Sequence, residues 1–366
     1  MRARRRGRGL FAALLTSALA GMVLLLSRSA MTDTVTVAGQ ALPAAQRMED
    51  RLSRAAAEAL GELAKVKKVY RLGDDVTIGP VPQTDGYLVT EDPARIEALL
   101  QSPEALALMG EQSCVWNSSR ERKAGTALYA YLDESILVLL WQERMVPSTL
   151  TWCEVFIGDA SQLRRKLVDD SYGSNVLKAP TELARECNAV LATDGDFYRY
   201  RGGWGINVYQ GQVFRAAGEY VDTCFFDRGG NMLFSRAGEL KGEEEVERFV
   251  REHDVITAIS FGPVMIENGR NVTPATYPVG EFADSLARCC FGQMGERHYL
   301  LCAVDYYMSV NRVAEVMVER GVQSAYNLDG GQSSAIVLLG EQRNPTIFGA
   351  ERMQSDILWF ASAVPD

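Results

Sequence analysis

The sequence predicts an α+β fold, with a mixed or mostly antiparallel sheet flanked by helices and a smaller N-terminal region. From about residue 150 the chain consists of short apolar or alternating segments, which are typical of strands. Most of these segments are separated by tight turns rich in Gly, Asn and Asp, which favour hairpins. Helical periodicity recurs only at intervals, so the regular strand and helix alternation of a parallel α/β fold is absent.

Residues 1–30 predict export from the cytoplasm. They contain six arginines and no acidic residue, and Leu10 to Leu26 is apolar apart from Thr16 and Ser17. That length suits a short membrane span or a long signal-peptide core, and the arginines place the N-terminus in the cytoplasm. We interpret the segment as a signal anchor through which the protein contacts the membrane; a cleaved signal peptide, including one of the twin-arginine type, is the alternative. The soluble part is therefore expected outside the cytoplasm, membrane-anchored or secreted.

The charge of the soluble part excludes nucleic acid and anionic lipid surfaces as its partners. The formal net charge of the chain is −9, and residues 31–366 carry −15 once the six N-terminal arginines are set aside. A surface of this sign repels polyanions. Hydrophobic residues make up 47% of the chain, which is enough to form a core and argues against a disordered tail.

No cofactor is required by the residues present. The chain has seven cysteines and two histidines, His253 and His298, without a CxxC or Cys/His spacing, so a zinc site is not predicted. Seven is an odd number, so at least one cysteine stays free or pairs between chains. The pairing of the others is left open.

Residues 31–149 predict a helical and strand region of unknown role, ahead of a domain over residues 150–366. Residues 42–69 carry the apolar stripe of a helix, and Pro93 begins a second helical run behind an aspartate. Leu128 to Trp141 is strand-like. Trp116, Trp141 and the tyrosines of this region are interpreted as core, and a platform for sugar rings is the alternative.

The second domain begins with a strand at Val155–Ile157. Asp159 and Gln162 then fit a capping box, which predicts a helix running through Leu163, Leu167 and Val168.

The first polar motif of this domain is Asp194-Gly195-Asp196, at the end of a buried strand that starts near Cys187. Two carboxylates on either side of a glycine can bind a divalent cation, hold sugar hydroxyls or act in acid/base catalysis. A solvated turn without a ligand is the alternative.

Arg288 lies in a largely uncharged segment, ahead of a strand from Tyr299 to Val304 that ends at Asp305. A single guanidinium among apolar neighbours needs an anionic partner, which is either a protein carboxylate or a ligand phosphate. Between these motifs the sequence predicts hairpins at 210–212 and 227–231, a helix over 243–251 and a strand over 255–260.

The most polar stretch is Asn327-Leu328-Asp329-Gly330-Gly331-Gln332-Ser333-Ser334, which follows a helix over 311–320 and separates two short strands. It is too polar for a strand and too rich in glycine for a helix interior. Successive N–H groups in the Gly330-Gly331 turn can form an anion-binding nest, with Asp329 projecting beside it. A hairpin turn that binds nothing is the alternative.

The order of these motifs resembles the phosphodiester glycosidases, over about residues 150–362. The shared elements are Asp194-Gly195-Asp196-Phe197-Tyr198, Phe261-Gly262-Pro263 with Asn268-Gly269, Arg288 with Gly292, Asn327-Leu328-Asp329-Gly330-Gly331 with Ser333-Ser334, Asn344-Pro345 and Ser355-Asp356-Ile357. The resemblance implies a hydrolase of sugar-1-phosphodiesters, related to the mannose 6-phosphate uncovering enzyme. Bacterial members are exported or anchored and are often linked to exopolysaccharide.

This resemblance also implies roles for individual residues. Asp329, Asp196 and Arg288 would be catalytic. The substrate-binding residues would be Asp194, Gly195, Asn327, Gly330, Gly331, Ser333, Ser334 and Asp305. A divalent cation held by Asp194 and Asp196 is possible.

The chain departs from the family pattern at two places, and these keep alternatives open. Gln332 stands where a third glycine is usual, and Tyr306-Tyr307 stand where Gly-Arg is common. Both departures favour a non-catalytic surface protein that binds polysaccharide or organises the envelope. A phosphodiesterase that cuts the P–O bond is a third possibility.

Overall fold

The structure is a computed structural model that describes residues 70–118, 127–196, 198, 203–278, 286–346 and 349–365. The predicted signal segment and the predicted helix over 42–69 lie outside these residues. Among the residues described, no helix has the length and hydropathy needed to cross a bilayer.

The predicted α+β class is confirmed, and the strands form three sheets, whose pairs are antiparallel throughout the described residues. A nine-stranded sheet has the order β1-β2-β3-β4-β15-β14-β16-β12-β13, and two five-stranded sheets have the orders β10-β9-β11-β7-β8 and β18-β17-β6-β19-β5. The strands are β1 Tyr87–Thr90, β2 Leu128–Leu132, β3 Ile136–Met145, β4 Ser148–Ile157, β5 Leu163–Leu167, β6 Ala189–Asp194, β7 Gly205–Tyr209, β8 Gln212–Ala217, β9 Thr223–Asp227, β10 Met232–Ser235, β11 Val255–Ile259, β12 Val264–Glu267, β13 Arg270–Asn271, β14 Leu286–Gly295, β15 His298–Met308, β16 Ser324–Asn327, β17 Ile336–Leu338, β18 Glu341–Gln342 and β19 Asp356–Ala361.

Helices cover the outer faces of these sheets. They are α1 Pro93–Leu100, α2 Pro103–Met109, α3 Val115–Ser118, α4 Pro180–Glu186, α5 Gly242–Glu252 and α6 Val310–Glu319. Asp92 caps α1 as predicted, since its side chain accepts from the N–H of Ala94. The cap of α6 is Ser309, whose hydroxyl accepts from the Arg312 N–H, and the helix starts one residue before the predicted position.

The core lies between the layers. Side chains from one face of the nine-stranded sheet pack against α1, α2 and α6. Those from its other face pack against both five-stranded sheets and form the central core, which includes Phe226, Phe291 and Phe360. Two smaller clusters join α4 and α5 to the outer faces of the five-stranded sheets. The three sheets therefore share the central core.

The described strands before residue 149 belong to the same sheet as strands of the glycosidase-like part of the chain. The boundary placed at 149 and 150 falls inside β4, which pairs with β3 on one side and β15 on the other. Residues 87–145 thus add three strands to a sheet whose other half carries Arg288.

The helix predicted after the capping box is wrong. The box forms, with the Asp159 carboxylate accepting from Ser161 N–H and the Gln162 side chain accepting from Asp159 N–H, but it caps a single 3-10 turn. Residues 163–167 then form β5, paired with β19. The positions of Leu163 and Leu167 fit both the period of a helix and that of a strand, and pairing with β19 stabilises the strand.

Candidate active site

The polar turn after β16 lies directly beside the start of β14. Cys290 pairs with Asn327, and the Leu328 N–H donates to the Cys289 carbonyl at 2.8 Å. A Cβ built on Gly330 would lie 2.6 Å from the Ala287 carbonyl oxygen and 3.6 Å from the Arg288 Cα. Only glycine therefore allows the turn this close, and Asp329–Gly330 lies alongside Ala287–Arg288.

The glycine turn is closed by its own backbone hydrogen bonds, from the Ser333 N–H to the Gly330 carbonyl at 3.2 Å and from the Ser334 N–H to the Gly331 carbonyl at 3.3 Å. Gly330 itself is extended, and the anion nest stays a prediction. Gly331 has φ +64 with open space where a Cβ would be, and it begins a 3-10 turn that ends at Ser333. Gln332 does not crowd this turn, because its side-chain amide donates to the Ala350 carbonyl at 3.4 Å.

The hydroxyl and amide residues around the turn mostly hold the backbone. The Asn327 amide donates to the Gly262 carbonyl at 2.8 Å and so fixes the Phe-Gly-Pro element against β16. The Ser333 hydroxyl accepts from the Arg352 guanidinium at 3.5 Å. Ser334 is buried, and its carbonyl accepts from the Asn344 amide at 2.9 Å.

Arg288 and Asp329 are both at the edge of the buried region, with 6% and 8% of their surfaces exposed. The Arg288 Nε donates to the Met308 carbonyl at 3.5 Å, which ties the guanidinium to the end of β15. A planar guanidinium and a neighbouring backbone turn are the groups that grip phosphate oxygens in proteins.

Asp194, at the end of β6, is fully buried behind this turn. The Thr193 hydroxyl donates to its Oδ1 at 3.1 Å, and the Cys289 thiol of β14 also contacts it. Burial raises the pKa of Asp194 well above its ordinary value; the Cys289 thiol opposes this shift, and the charge of Asp329 adds to it. Burial and the charge of Asp329 thus both favour the protonated form of the Asp194 carboxyl.

Asp196 belongs to a second buried cluster, whose centre is Arg165 of β5. The Arg165 guanidinium lies 3.4 Å from Asp196 Oδ1 and 2.8 Å from Asp356 Oδ2. The Asn207 amide and the Ser260 N–H donate to Asp196 Oδ2 at 3.1 and 3.2 Å. A buried carboxylate with this many partners is positioned by the protein and faces no solvent.

The charges in this cluster shift one another's pKa. Burial raises the pKa of Asp196 to about 6, although Arg165 opposes the shift. Burial opposes the charge on Arg165, but Asp356 and Asp196 outweigh it and raise its pKa. Gly195 lies on Asp356, because a Cβ there would be 2.1 Å from its Oδ2. The glycine between the two aspartates is required by this contact.

Asp305 lies inside β15 and not at its end. Its Oδ1 accepts from the Thr149 N–H at 2.8 Å, so it holds the start of β4. The structure gives it no contact with Asp194 or Asp196, and its proposed substrate contact stays a prediction.

Three groups near the site were not predicted from the sequence as site residues: Arg165, Asp356 and Arg352. Arg165 stands between Leu163 and Leu167 on one face of β5, and such a cation in an apolar row signals a buried acid partner. The helix prediction concealed that alternation.

Metal binding at the aspartates stays a prediction. Among the described parts of the chain, no group of three or more His, Cys, Asp or Glu side chains is arranged to hold an ion. Asp194 and Asp196 have different neighbours, and the charge of Asp196 is already matched by Arg165.

All seven cysteines fall within the described residues. Each is buried and none forms a disulfide. Burial raises the pKa of the Cys289 and Cys290 thiols, which keeps them protonated beside the site.

The family model of the phosphodiester glycosidases matches residues 187–360. These residues therefore match a phosphodiester glycosidase domain. The match contains Asp194, Asp196, Arg288 and the 327–334 turn, so the predicted resemblance is confirmed. The family supports a hydrolase that acts on a phosphodiester-linked sugar.

The fold is similar to that of a solved phosphodiester glycosidase. The catalytic domain of zebrafish N-acetylglucosamine-1-phosphodiester alpha-N-acetylglucosaminidase, auto-inhibited by its pro-peptide, has a TM-score of 0.50 and 19% identity, covering 62% of this chain and 83% of that chain. Lower similarity is found to a hypothetical protein from Synechocystis (TM-score 0.44, 12% identity, 62% of each chain) and to a putative exported protein from Burkholderia pseudomallei (TM-score 0.43, 12% identity, 59% of this chain and 74% of that chain). No curated protein matches the sequence significantly.

Proposed function

We propose that the protein is an extracytoplasmic hydrolase that cleaves the anomeric bond of a sugar-1-phosphodiester in a glycan or exopolysaccharide. The observation that carries this proposal is the placement of Asp329–Gly330 alongside Arg288, with the buried Asp194 behind them. Groups suited to an anion and a carboxylate suited to a cationic sugar thus occupy adjacent positions on neighbouring strands.

Arg288 and the Gly330-Gly331 backbone bind the phosphate in this proposal. The guanidinium grips two oxygens, while N–H groups of the turn grip others. Because the leaving phosphate monoester is the anion of a strong acid, little proton donation is needed. Neutralising its charge is the larger task.

Asp329 acts on the sugar side, as nucleophile or as electrostatic partner of an oxocarbenium-like transition state. The C1–O bond breaks with its electron pair going to the phosphate oxygen, and water finally supplies a hydroxyl to C1. The products are free sugar and a phosphomonoester.

Asp194 makes this arrangement consistent with an anionic substrate. If both Asp194 and Asp329 were ionised, two negative charges would oppose phosphate binding. In this proposal Asp194 carries a proton, which its burial favours, so that only the charge of Asp329 remains and Arg288 on the adjacent strand offsets it.

Asp196 is a positioning residue in this scheme, together with Arg165 and Asp356. Its carboxylate is fully buried and bound by protein groups. It holds the chain after β6 in place and thereby fixes the direction of Asp194.

The test is release of free sugar and phosphomonoester from a panel of sugar-1-phosphodiesters. Asp329→Asn and Arg288→Ala should each lower kcat by about 10²–10³-fold, as removal of one transition-state contact does. Arg270→Ala, at an exposed arginine of β13, is the matched control and should retain full activity. Full activity in both site variants would show that the roles are wrong.

Two further measurements separate the alternatives. In ¹⁸O-labelled water, C–O cleavage puts the label in the sugar, whereas a phosphodiesterase puts it in the phosphate. A wild-type protein that retains the glycans without turnover would instead be the non-catalytic polysaccharide-binding protein. Gln332, one of two features that favoured that hypothesis, is turned toward Ala350 and away from the nest.

A further inference from the structure

The ladder between β14 and β15 is interrupted beside Arg288. Leu286 pairs with Met308, and Arg288 pairs with Val304, so Ala287 stands opposite three residues, Asp305 to Tyr307. Such bulges bend a strand and redirect its side chains, and they are frequent next to active sites. This bulge carries two tyrosines.

The backbone of the bulge is strained and held from several directions. Tyr307 has φ +59, a left-handed conformation that is unfavourable for a bulky side chain. The Thr149 N–H donates to Asp305, and the Ser148 hydroxyl donates to the Tyr306 carbonyl. A strained position that its surroundings fix this firmly is a candidate for function.

The tyrosine rings are exposed and packed on one another. Tyr306 has 40% of its surface exposed and Tyr307 has 58%, and their ring centroids are 4.0 Å apart in an edge-to-face arrangement. Paired aromatic rings left in solvent beside an active site are a contact surface for a ligand with apolar faces, such as a sugar ring.

A groove with a volume of about 570 Å³ continues from Tyr307, lined also by Arg144 and Arg312. Arg144 is exposed and donates to the Thr149 hydroxyl at 3.2 Å, while Arg312 forms an ion pair with Glu315. The groove thus offers a guanidinium for an anion next to Tyr307.

We propose that Tyr306, Tyr307 and Arg144 form a leaving-group subsite for a polymer of sugars joined by phosphodiesters. The tyrosines contact the sugar ring that follows the phosphate at Arg288, and Arg144 binds the next phosphate. The proposal rests on the function proposed above and specifies its substrate as an extended anionic chain.

The position of the tyrosines next to Arg288 suits a polymer of this kind, because its leaving-group sugar is bonded directly to the phosphate. The Arg288 Nε donates to the carbonyl of Met308, the residue after Tyr307, so the Arg288 side chain reaches the backbone that carries the tyrosines. A small aglycone would leave both the rings and the groove unused.

The experiment compares two non-hydrolysable phosphonate analogues by calorimetry. The short analogue is a sugar-1-phosphonate with a methyl aglycone, and the long one carries a glycosyl aglycone ending in a second phosphate. Tyr307→Gly should bind the long analogue roughly tenfold more weakly, which corresponds to about 1.4 kcal/mol. It should bind the short analogue as wild type does.

The variants are chosen so that misfolding cannot imitate the result. Glycine accepts φ +59 without strain, so Tyr307→Gly should unfold at or above the wild-type temperature. Arg144→Ala should weaken only the long analogue, by a similar factor, and 0.5 M salt should reduce the wild-type preference because the contact is exposed. Arg251→Ala, at an exposed arginine of α5, is the control.

Equal affinity of wild type for the two analogues, or an unchanged long-to-short ratio in both variants, overturns the subsite. These readouts need no turnover, so they separate this inference from the proposed hydrolysis. Absence of sugar release from every phosphodiester would refute the hydrolase, while a lost preference in Tyr307→Gly would still support the subsite.

Discussion

Replacing Asp194 by asparagine should change how the stability of the protein depends on pH. The side chain is fully buried at the end of β6, and its pKa lies well above the ordinary value. Between those two values the carboxyl is protonated in the folded chain and ionised in the unfolded chain. The free energy of unfolding of the wild-type protein therefore falls as pH rises through this window.

The magnitude is set by linkage. One proton difference costs about 1.4 kcal/mol of the free energy of unfolding per pH unit. Asparagine cannot ionise, so Asp194→Asn lacks this term. Within the window between the unfolded and folded pKa values, the variant should gain about 1.4 kcal/mol per pH unit relative to wild type, or about 3 °C in Tm per pH unit at roughly 2 °C per kcal/mol. The Asp196 cluster contributes equally to both proteins and cancels.

The assay is thermal and urea unfolding of both proteins at half-unit steps from pH 4 to pH 7. The readout is the slope of the stability difference, since the buried amide adds a constant cost of its own. Asp85→Asn, at an exposed aspartate, is the control and should follow wild type. A flat difference across this range would mean that Asp194 is ionised in the folded protein, and the neutral-acid argument for phosphate binding would fail.

Three other outcomes are expected. Arg165→Met should destabilise the protein by about 3–5 kcal/mol at pH 8, because it leaves Asp196 and Asp356 buried without their cation. The loss should be smaller at pH 5, where Asp196, with a pKa of about 6, is protonated. Unfolding measurements at both pH values test this. Gly330→Ala should lower the stability by about 1–3 kcal/mol and remove most of the activity, because its Cβ meets the Ala287 carbonyl. Gly331→Ala faces open space, so it should lower the stability by about 1 kcal/mol, from its φ of +64, and keep more activity. Equal activity in the two variants would show that the turn is not part of the phosphate site. Sugar release should be unchanged by EDTA, and a loss that magnesium or calcium restores would establish a cation at the aspartates.

The polar turn and its partners could be predicted from sequence because their signals are local. Asp329, Gly330 and Gly331 stand together where a strand ends, and glycine there is required by close backbone approach. Hairpins at 210–212 and 227–231 are indicated by glycine and asparagine in the same way, and both are present.

The support around Asp196 could not be predicted because its partners are remote in sequence. Arg165 is 31 residues away and Asp356 is 160 residues away, and only sheet pairing brings them together. The helix predicted over 163–168 also implied, wrongly, that the Arg165 side chain points away from the core. A period of two and a period of 3.6 give similar apolar positions over five residues, so a segment this short did not decide between them.

Asp194 and Asp196 have different contacts because they lie where side chains of the three sheets come together. Asp194 still belongs to β6 and meets Cys289 of the nine-stranded sheet, beside the glycine turn. After Gly195 the chain has left the strand, and Asp196 accepts from Asn207 of the other five-stranded sheet and from Ser260, the residue that follows β11. The two carboxyl groups, although only two residues apart in sequence, therefore contact different neighbours. The pKa of Asp194 is raised by its burial beside the Cys289 thiol, whereas Asp196 is paired with the buried Arg165, so the two carboxyl groups have separate surroundings.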